Sequence, residues 1–179
     1  MKVIFIRHSE PDYSMLDKAQ NPQAYVEFGR DLAPLTARGR LLAQEAAQNP
    51  LLDEAEVIIS SSITRALETA FYMARHRAIN LLVEPFFHEW RPDLDGLNYT
   101  EVELALAHQT YMVNDGNLPS DSPIRYETGA EVKARFLLAL KKYCQYETVA
   151  VVTHGMLMRQ FVPLDHIDYC QFVTCDIDL

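Results

Sequence analysis

An arginine followed directly by a histidine, Arg7-His8, closes the apolar run Val3-Ile4-Phe5-Ile6. The pair suits one chemistry in particular: a fixed guanidinium holds and neutralises an anion while an imidazole nitrogen attacks it. The anion that fits is phosphate. Further along, Arg65 follows the serine-rich stretch Ser60-Ser61-Ser62 and offers a second cation to the same pocket. Glu89 stands among aromatic residues in Phe86-Phe87-His88-Glu89-Trp90, where partial desolvation raises a carboxyl pKa and keeps its proton available for donation. His88 is its nearest rival for that role, and Arg91, Asp93 and Asp95 are close enough in sequence to modulate it. A second apolar run, Val149-Ala150-Val151-Val152-Thr153, delivers His154-Gly155 and repeats the pattern of the opening stretch. Taken singly, these residues have an ordinary explanation: a strand often ends in polar residues, and an arginine in a first helical turn usually solvates. Their joint presence points to a single site.

Elements able to position them are legible in the same stretches. Val3 to Ile6 have the β-branched and aromatic make-up of a fully buried parallel strand, so the next side chains emerge at its carboxyl end, where open α/β sheets bind ligands. Val57-Ile58-Ile59 predicts a second buried strand running through the serines, which offer caps, into a helix from Thr64. Leu81 to Val83 and Val149 to Thr153 predict a third and a fourth strand, and Gln171 to Asp176 a last one. Thr36 caps a helix that Asn49-Pro50 stops, and Thr100 with Glu103 forms a capping box for a helix through about Met112. Gly129 to Tyr146 reads as one amphipathic helix with Val132, Phe136, Leu140 and Tyr143 inward, and Met156 to Val162 as another that Pro163 ends. Between Pro11 and Pro34 the chain is polar and irregular, with a helical turn expected over Pro22 to Phe28, and is long enough to overhang the site.

Composition bounds the partners. With 179 residues, 49% apolar and 23% charged, the chain can build one sizeable core, and a single domain over residues 1–179 is expected. A formal net charge of −9 argues against nucleic acid or an acidic membrane surface as a partner, so an anionic substrate needs a local basic pocket. Cys144, Cys170 and Cys175 are odd in number and widely spaced, which argues against a disulfide framework or zinc site and for reduced thiols in the cytoplasm. The first apolar run is too short for a secretory signal, Arg7 interrupts it, and no run approaches membrane-spanning length; the expectation is a soluble, unanchored protein.

Arg7-His8 after a first strand, SSSITRALETA with Arg65, the Glu89 segment ending in Gly96, and VVTHGMLMR with His154 together resemble the histidine phosphatase superfamily, the phosphoglycerate mutase-like family. The likeness runs from Lys2 to about Val162 in the family's chain order, and LTARGRLLA is similar to the family's segment before its first long helix. The resemblance implies a three-layer α/β/α fold around a mainly parallel sheet and a phosphohistidine mechanism. It implies that His8 attacks phosphorus, that Arg7, Arg65 and His154 surround the phosphoryl oxygens, and that Glu89 protonates the leaving oxygen and then deprotonates water. No cofactor and no metal is implied, because the cations supply the charge neutralisation. Gly155 and His88 are auxiliary candidates. The departures are Ser9, where the family usually has glycine and where a hydroxyl could bond phosphate or crowd the turn, Ser14, where asparagine is common, Pro11-Asp12 in place of the small hydroxyl residues often found between them, and Glu68. Glu68 replaces a common glutamine on a helix flank, where little consequence is expected.

The leading reading is a phosphatase acting on a small phosphorylated metabolite or a phosphoprotein. A mutase that returns the phosphoryl group to its substrate is the second, and a phosphate-binding scaffold without turnover is the third. A metal hydrolase built from His8, Glu10, Asp12 and His154 ranks last, since two arginines aimed at the same point would repel the ion. His76, His108 and His166 are read as packing or surface residues, and the methionines Met112, Met156 and Met158 as core filler. Specificity is assigned to Pro11–Pro34 and Arg91–Tyr126, with Arg30, Arg91 and Arg125 as candidates for further anionic contacts. Oligomeric state leaves no trace in the sequence.

Overall fold

Strand β1 (Lys2–Arg7) is apolar on both faces because both are covered: Val3, Ile4, Phe5 and Ile6 are all fully buried. It pairs in parallel with β4 (Thr148–Thr153), from Lys2 opposite Thr148 to Arg7 opposite Thr153, and β4 pairs in parallel with β2 (Val57–Ser61). On the far side of β2 lies β3 (Leu81–Glu84), also parallel, while β5 (Phe172–Asp176) runs antiparallel along the other edge of β1. The sheet order is β3-β2-β4-β1-β5, a mostly parallel sheet whose central strands end together. This computed structural model describes residues 1–16, 18 and 28–179. The turn expected over Pro22 to Phe28 lies outside these residues except for Phe28, which opens α1 (Phe28–Leu32).

Alternate residues of each strand feed opposite layers, as the two-residue pleat requires. Ile4, Ile6, Ile58, Ala150 and Val152 meet Ala66, Ala70 and Met73 of α3 (Thr64–Arg77), which packs beside α2 (Ala37–Ala46). Val3, Phe5, Val57, Ile59, Val149 and Val151 meet Val132, Phe136 and Leu140 of α5 (Gly129–Leu140), with Ala107 and Tyr111 of α4 (Glu101–Val113) in the same cluster. The result is the three-layer α/β/α arrangement, with helices on both faces. Among the described residues, no helix is long and apolar enough to cross a membrane.

The local signals differ in how far they carry. Thr36 caps α2 by accepting from the Gly39 N–H at 2.8 Å, and Thr100 with Glu103 forms the expected capping box of α4; Thr128 and Glu131 form a second box on α5. By contrast, no serine caps α3. Its N-cap is Ile63 with no side-chain bond, because Ser60 and Ser61 belong to β2, and the Ser61 hydroxyl accepts from the Ile63 N–H at 3.2 Å instead. The α-helix after the second capping box stops at Leu140 and continues only as a 3₁₀ turn over Lys141–Tyr143, and α6 (Gly155–Met158) is far shorter than Met156 to Val162 predicts.

The chain after β1 is clamped between α2 and α3. Ser9 N–H donates to Thr69 Oγ1 at 2.9 Å, Ser9 Oγ donates to the Gly39 carbonyl at 2.7 Å, and Thr36 N–H donates to the Glu10 carbonyl at 3.1 Å. Only glycine fits at position 39: a Cβ there would lie 2.4 Å from the Glu10 carbonyl oxygen, a backbone atom that cannot step aside alone. Gly39→Ala is therefore expected to destabilise the fold by about 1–3 kcal/mol, the range of small-to-large overpacking, read as a lower urea midpoint at unchanged slope.

Candidate active site

The ends of β1, β2 and β4 and the first turn of α3 bring four of the sequence-selected residues together. His8 N–H donates to the Thr153 carbonyl at 2.9 Å, which extends the β1–β4 ladder by one bond and places the His8 and His154 rings 5.1 Å apart. His8 Nδ1 lies 2.7 Å from the Ser9 carbonyl oxygen. That oxygen can only accept, so Nδ1 carries the proton and Nε2 presents its lone pair. Arg65 Nε donates to this Nε2 at 3.2 Å. His154 is fully buried with its Nε2 2.9 Å from Ser61 Oγ, a contact made possible because Ser61 ends β2 and not a helix cap.

The two inner arginines are held by carbonyls. Arg7 Nη1 donates to the Ile167 carbonyl and Arg65 Nη1 to the Arg30 carbonyl, the latter at 2.9 Å, and neither guanidinium joins a carboxylate in an ion pair among the described residues. A carbonyl satisfies a donor and leaves the charge whole. Two buried nitrogens also lack a hydrogen-bond partner among the described residues, Arg7 Nε and His154 Nδ1. Buried polar atoms without partners carry a free-energy cost, and their presence on two neighbouring residues marks a place prepared for another polar group. Gly155 opens α6 beside them; a Cβ there would stand 3.7 Å from Arg7 Nε. Burial first, then the Arg65 and Arg7 charges, holds the His8 imidazole well below its ordinary pKa, and burial with the Arg65 charge does the same to His154.

Glu89 sits half-buried on the wall of a cavity of about 320 Å³ that opens in front of Arg65. Its carboxylate accepts from the Trp90 N–H at 2.9 Å and the Met156 N–H at 3.4 Å. Burial raises its pKa; those two N–H groups and the Arg65 and Arg7 charges pull the other way without overcoming it. The site thus combines an imidazole whose pKa is pushed down with a carboxyl whose pKa is pushed up, displacements of opposite sign.

A family model described as "Histidine phosphatase superfamily (branch 1)" matches residues 3–168. The chain belongs to that superfamily. No curated protein matches it by sequence. Among solved structures, this histidine phosphatase superfamily member is similar to a mycobacterial glucosyl-3-phosphoglycerate phosphatase, with a TM-score of 0.69 at 18% identity over 97% of this chain and 88% of that one. It is also similar to YhfR of Bacillus stearothermophilus, with a TM-score of 0.68 at 23% identity over 99% and 91% of the two chains. A third likeness is the alpha-ribazole phosphatase of Shigella flexneri, with a TM-score of 0.57 at 21% identity over 88% and 76%. At these identities the likeness is one of fold.

Other sequence-selected residues of this superfamily member lie elsewhere. The Ser9 side chain is turned away from the pocket to Gly39, and Ser14 is exposed, its backbone N–H donating to Asp12 Oδ1 at 2.9 Å. His88 Nδ1 faces the Glu89 carbonyl at 2.7 Å, and the ring is not part of the cavity wall. Glu68 has more consequence than its position on a helix flank suggests: it accepts from the Leu35 N–H at 2.7 Å and from Arg40 Nε at 2.6 Å, fastening the return of the Pro11–Pro34 segment. The metal-ligand set does not assemble, since Glu10 bonds Thr36 Oγ1 at 2.6 Å and Asp12 bonds Ser14; among the described residues no group of three His, Cys, Asp or Glu side chains could hold an ion. Arg125 pairs with Glu131, and His76 and His166 are exposed. His108 packs edge-on against Trp90.

One neighbour of the site escaped the sequence reading. Tyr169 lies one residue past the family match, with its ring 4.5 Å from Arg7 Cζ and 5.8 Å from the His8 ring. Its only sequence signal is topological: β5 is antiparallel to β1, so the residues just before β5 begin where β1 ends. Tyr169→Ala is expected to weaken inorganic phosphate binding about threefold to tenfold in calorimetry, the worth of one cation–π contact, while Tyr169→Phe keeps the ring and the affinity. A second expectation concerns pH. Imidazoles whose folded pKa lies below the ordinary 6.5, His8, His88, His108 and His154, leave the unfolded chain as the better proton acceptor below that value. Stability measured in urea should therefore fall as pH drops from about 7 to about 5, the four imidazoles acting against the single opposing contribution of Glu89, whose raised pKa costs stability as pH rises.

Proposed function

We propose that this chain is a phosphatase that hydrolyses a phosphomonoester through a transient phosphohistidine on His8. The observation that carries the reading is the buried His8 Nε2 lone pair facing Arg65, with the Arg7 and Arg65 guanidiniums in no ion pair among the described residues and with Glu89, whose pKa burial raises, on the wall of the cavity in front of Arg65. As a phosphoryl group enters, Arg65 transfers its Nε hydrogen bond from His8 Nε2 to a phosphoryl oxygen, and Arg7 Nε and His154 Nδ1 gain a partner. Nε2 then attacks phosphorus as the bond to the ester oxygen breaks, and Glu89 gives its proton to that oxygen. In the second half Glu89 takes a proton from water, whose oxygen attacks the phosphohistidine and releases inorganic phosphate with His8 restored. The charge that spreads over the phosphoryl oxygens is met by preorganised cations, so no resident metal is required. The small phosphorylated metabolites in the names of the glucosyl-3-phosphoglycerate and alpha-ribazole phosphatases support a substrate of the same size class.

The opposite pKa displacements give the reaction a broad acidic side. His8 stays neutral well below the ordinary imidazole value, and Glu89 keeps its proton above the ordinary carboxyl value, so kcat/KM should hold on the acidic side and fall as pH rises through the Glu89 pKa. Glu89→Gln should lose about 10²- to 10⁴-fold on alkyl phosphates and much less on an activated aryl phosphate, whose leaving oxygen needs no proton. Phosphate release from a panel of phosphomonoesters with chelator present tests the whole reading. Turnover that survives the chelator and disappears in His8→Ala is expected; phosphate binding without turnover, or activity only with a bisphosphate primer, would overturn it.

A further inference from the structure

The cavity in front of the phosphoryl pocket is walled by arginines in a different condition from the inner pair. Arg30 Nη2 is bonded to Glu101 Oε1 at 2.8 Å and Arg91 Nη1 to Asp31 Oδ2 at 2.9 Å. The two pairs tie α1 to the start of α4 and to the segment after Trp90, and all four side chains line the cavity. Arg30 is further held with its guanidinium 4.8 Å from the Tyr13 ring centre.

Resting on the phosphatase reading above, we propose that this cavity selects phosphomonoesters whose organic group is uncharged, and that Asp31 and Glu101 are the residues that impose the selection. Among the described residues, the cavity wall carries three cations, Arg30, Arg65 and Arg91, and three carboxyl groups, Asp31, Glu89 and Glu101. Arg65 is committed to the phosphoryl group and Glu89 to its proton, so a second anionic group on the substrate meets only arginines that already hold a carboxylate. Residues 17 and 19–27 include Asp17 and Glu27 but no lysine or arginine, so they bring no cation to the cavity. Lys18 is exposed and acts on Asp12, outside the cavity wall. A carboxylate or second phosphate on the substrate must displace Asp31 or Glu101, exchanging one half-exposed ion pair for another and leaving the displaced carboxylate beside the new anion. An uncharged group leaves both pairs intact and meets the apolar part of the wall, where Trp90, Pro92 and Leu104 lie.

The test uses matched esters: glycerol 3-phosphate against 3-phosphoglycerate, which differ by a hydroxymethyl in place of a carboxylate, and fructose 6-phosphate against fructose 1,6-bisphosphate. For the wild-type protein at about pH 7 and low salt, kcat/KM should favour the uncharged member of each pair by about tenfold or more. The double variant Asp31→Asn with Glu101→Gln frees Arg91 and Arg30, and the ratio should move about tenfold towards the charged member. Both esters are read on one preparation, so any loss of folded protein cancels from the ratio. A wild-type preference for the charged member, or a ratio unmoved in the double variant, overturns the inference. Calorimetry of the same esters with His8→Ala separates the two readings. A binding preference for the uncharged ester there supports the selection even if the wild type turns over neither, an outcome that sinks only the phosphatase reading. Equal or reversed affinities sink the selection while leaving hydrolysis standing.

Discussion

The parallel ladder between β1 and β4 ends with Arg7 opposite Thr153, and one further bond, from His8 N–H to the Thr153 carbonyl at 2.9 Å, carries it past the strand ends. Much of the site follows from that bond. It fixes the His8 backbone relative to His154, the next residue of the neighbouring strand, and so brings two imidazoles within 5.1 Å from positions 146 residues apart. β4 is also the partner of β2, so the same ladder delivers Ser61 to His154 Nε2. Because strand side chains alternate, a slip of one residue between β1 and β4 would send Val3 and Phe5 into the layer built for Ile4 and Ile6. Two apolar layers, each filled from one set of alternating residues, are what hold the register of His8 and His154 in place.

Partner chemistry separates two kinds of arginine within a few ångströms. Arg7 and Arg65 are bonded to main-chain oxygens and keep a whole positive charge; Arg30 and Arg91 are bonded to carboxylates and keep little of it. Desolvation acts on the whole inner set at once, and its sign depends on the group. It pushes the imidazoles towards neutrality, in the same direction as the nearby guanidiniums, and it pushes Glu89 towards its protonated form against those guanidiniums. For Glu89 burial outweighs the attraction. One environment therefore moves the two groups in the opposite directions that the proposed roles of nucleophile and acid call for.

The sequence made legible whatever depended on neighbours along the chain. Val3 to Ile6 and Val149 to Val152 are apolar on both faces, a pattern that only a sheet covered on both sides explains, and the polar residues that follow them had to appear at its edge. Thr100 with Glu103 states its own helix start three residues apart. Contacts across the fold left weaker marks. Ser61 offers caps to any reader of the sequence, yet it is a strand residue whose hydroxyl reaches a histidine 93 residues away. Glu68 looks like an incidental change on a helix and instead fastens Leu35 and Arg40. Tyr169 carries no motif at all; only the antiparallel course of β5 places it beside Arg7. The α5 and α6 helices are shorter than their apolar patterns suggest for a related reason, since apolar periodicity continues through 3₁₀ turns and loops wherever the core does.

α1 joins the two regimes. It is five residues long, too short to be stable by itself, and its order comes from what it touches. Its main chain, through the Arg30 carbonyl, orients Arg65 over the His8 Nε2, while its side chains, Arg30 and Asp31, take up Glu101 and Arg91 on the opposite wall. Each outer pair is exposed enough to contribute no more than about 1 kcal/mol, so neither holds α1 alone. Their combined geometry does more than their energy: two pairs of opposite polarity admit one alignment of α1 and reject the reversed or shifted ones, where like charges would face each other. The position of the inner cation is thus set by the same short segment that neutralises the outer ones, which couples the placement of Arg65 beside His8 to the charge of the cavity in front of it.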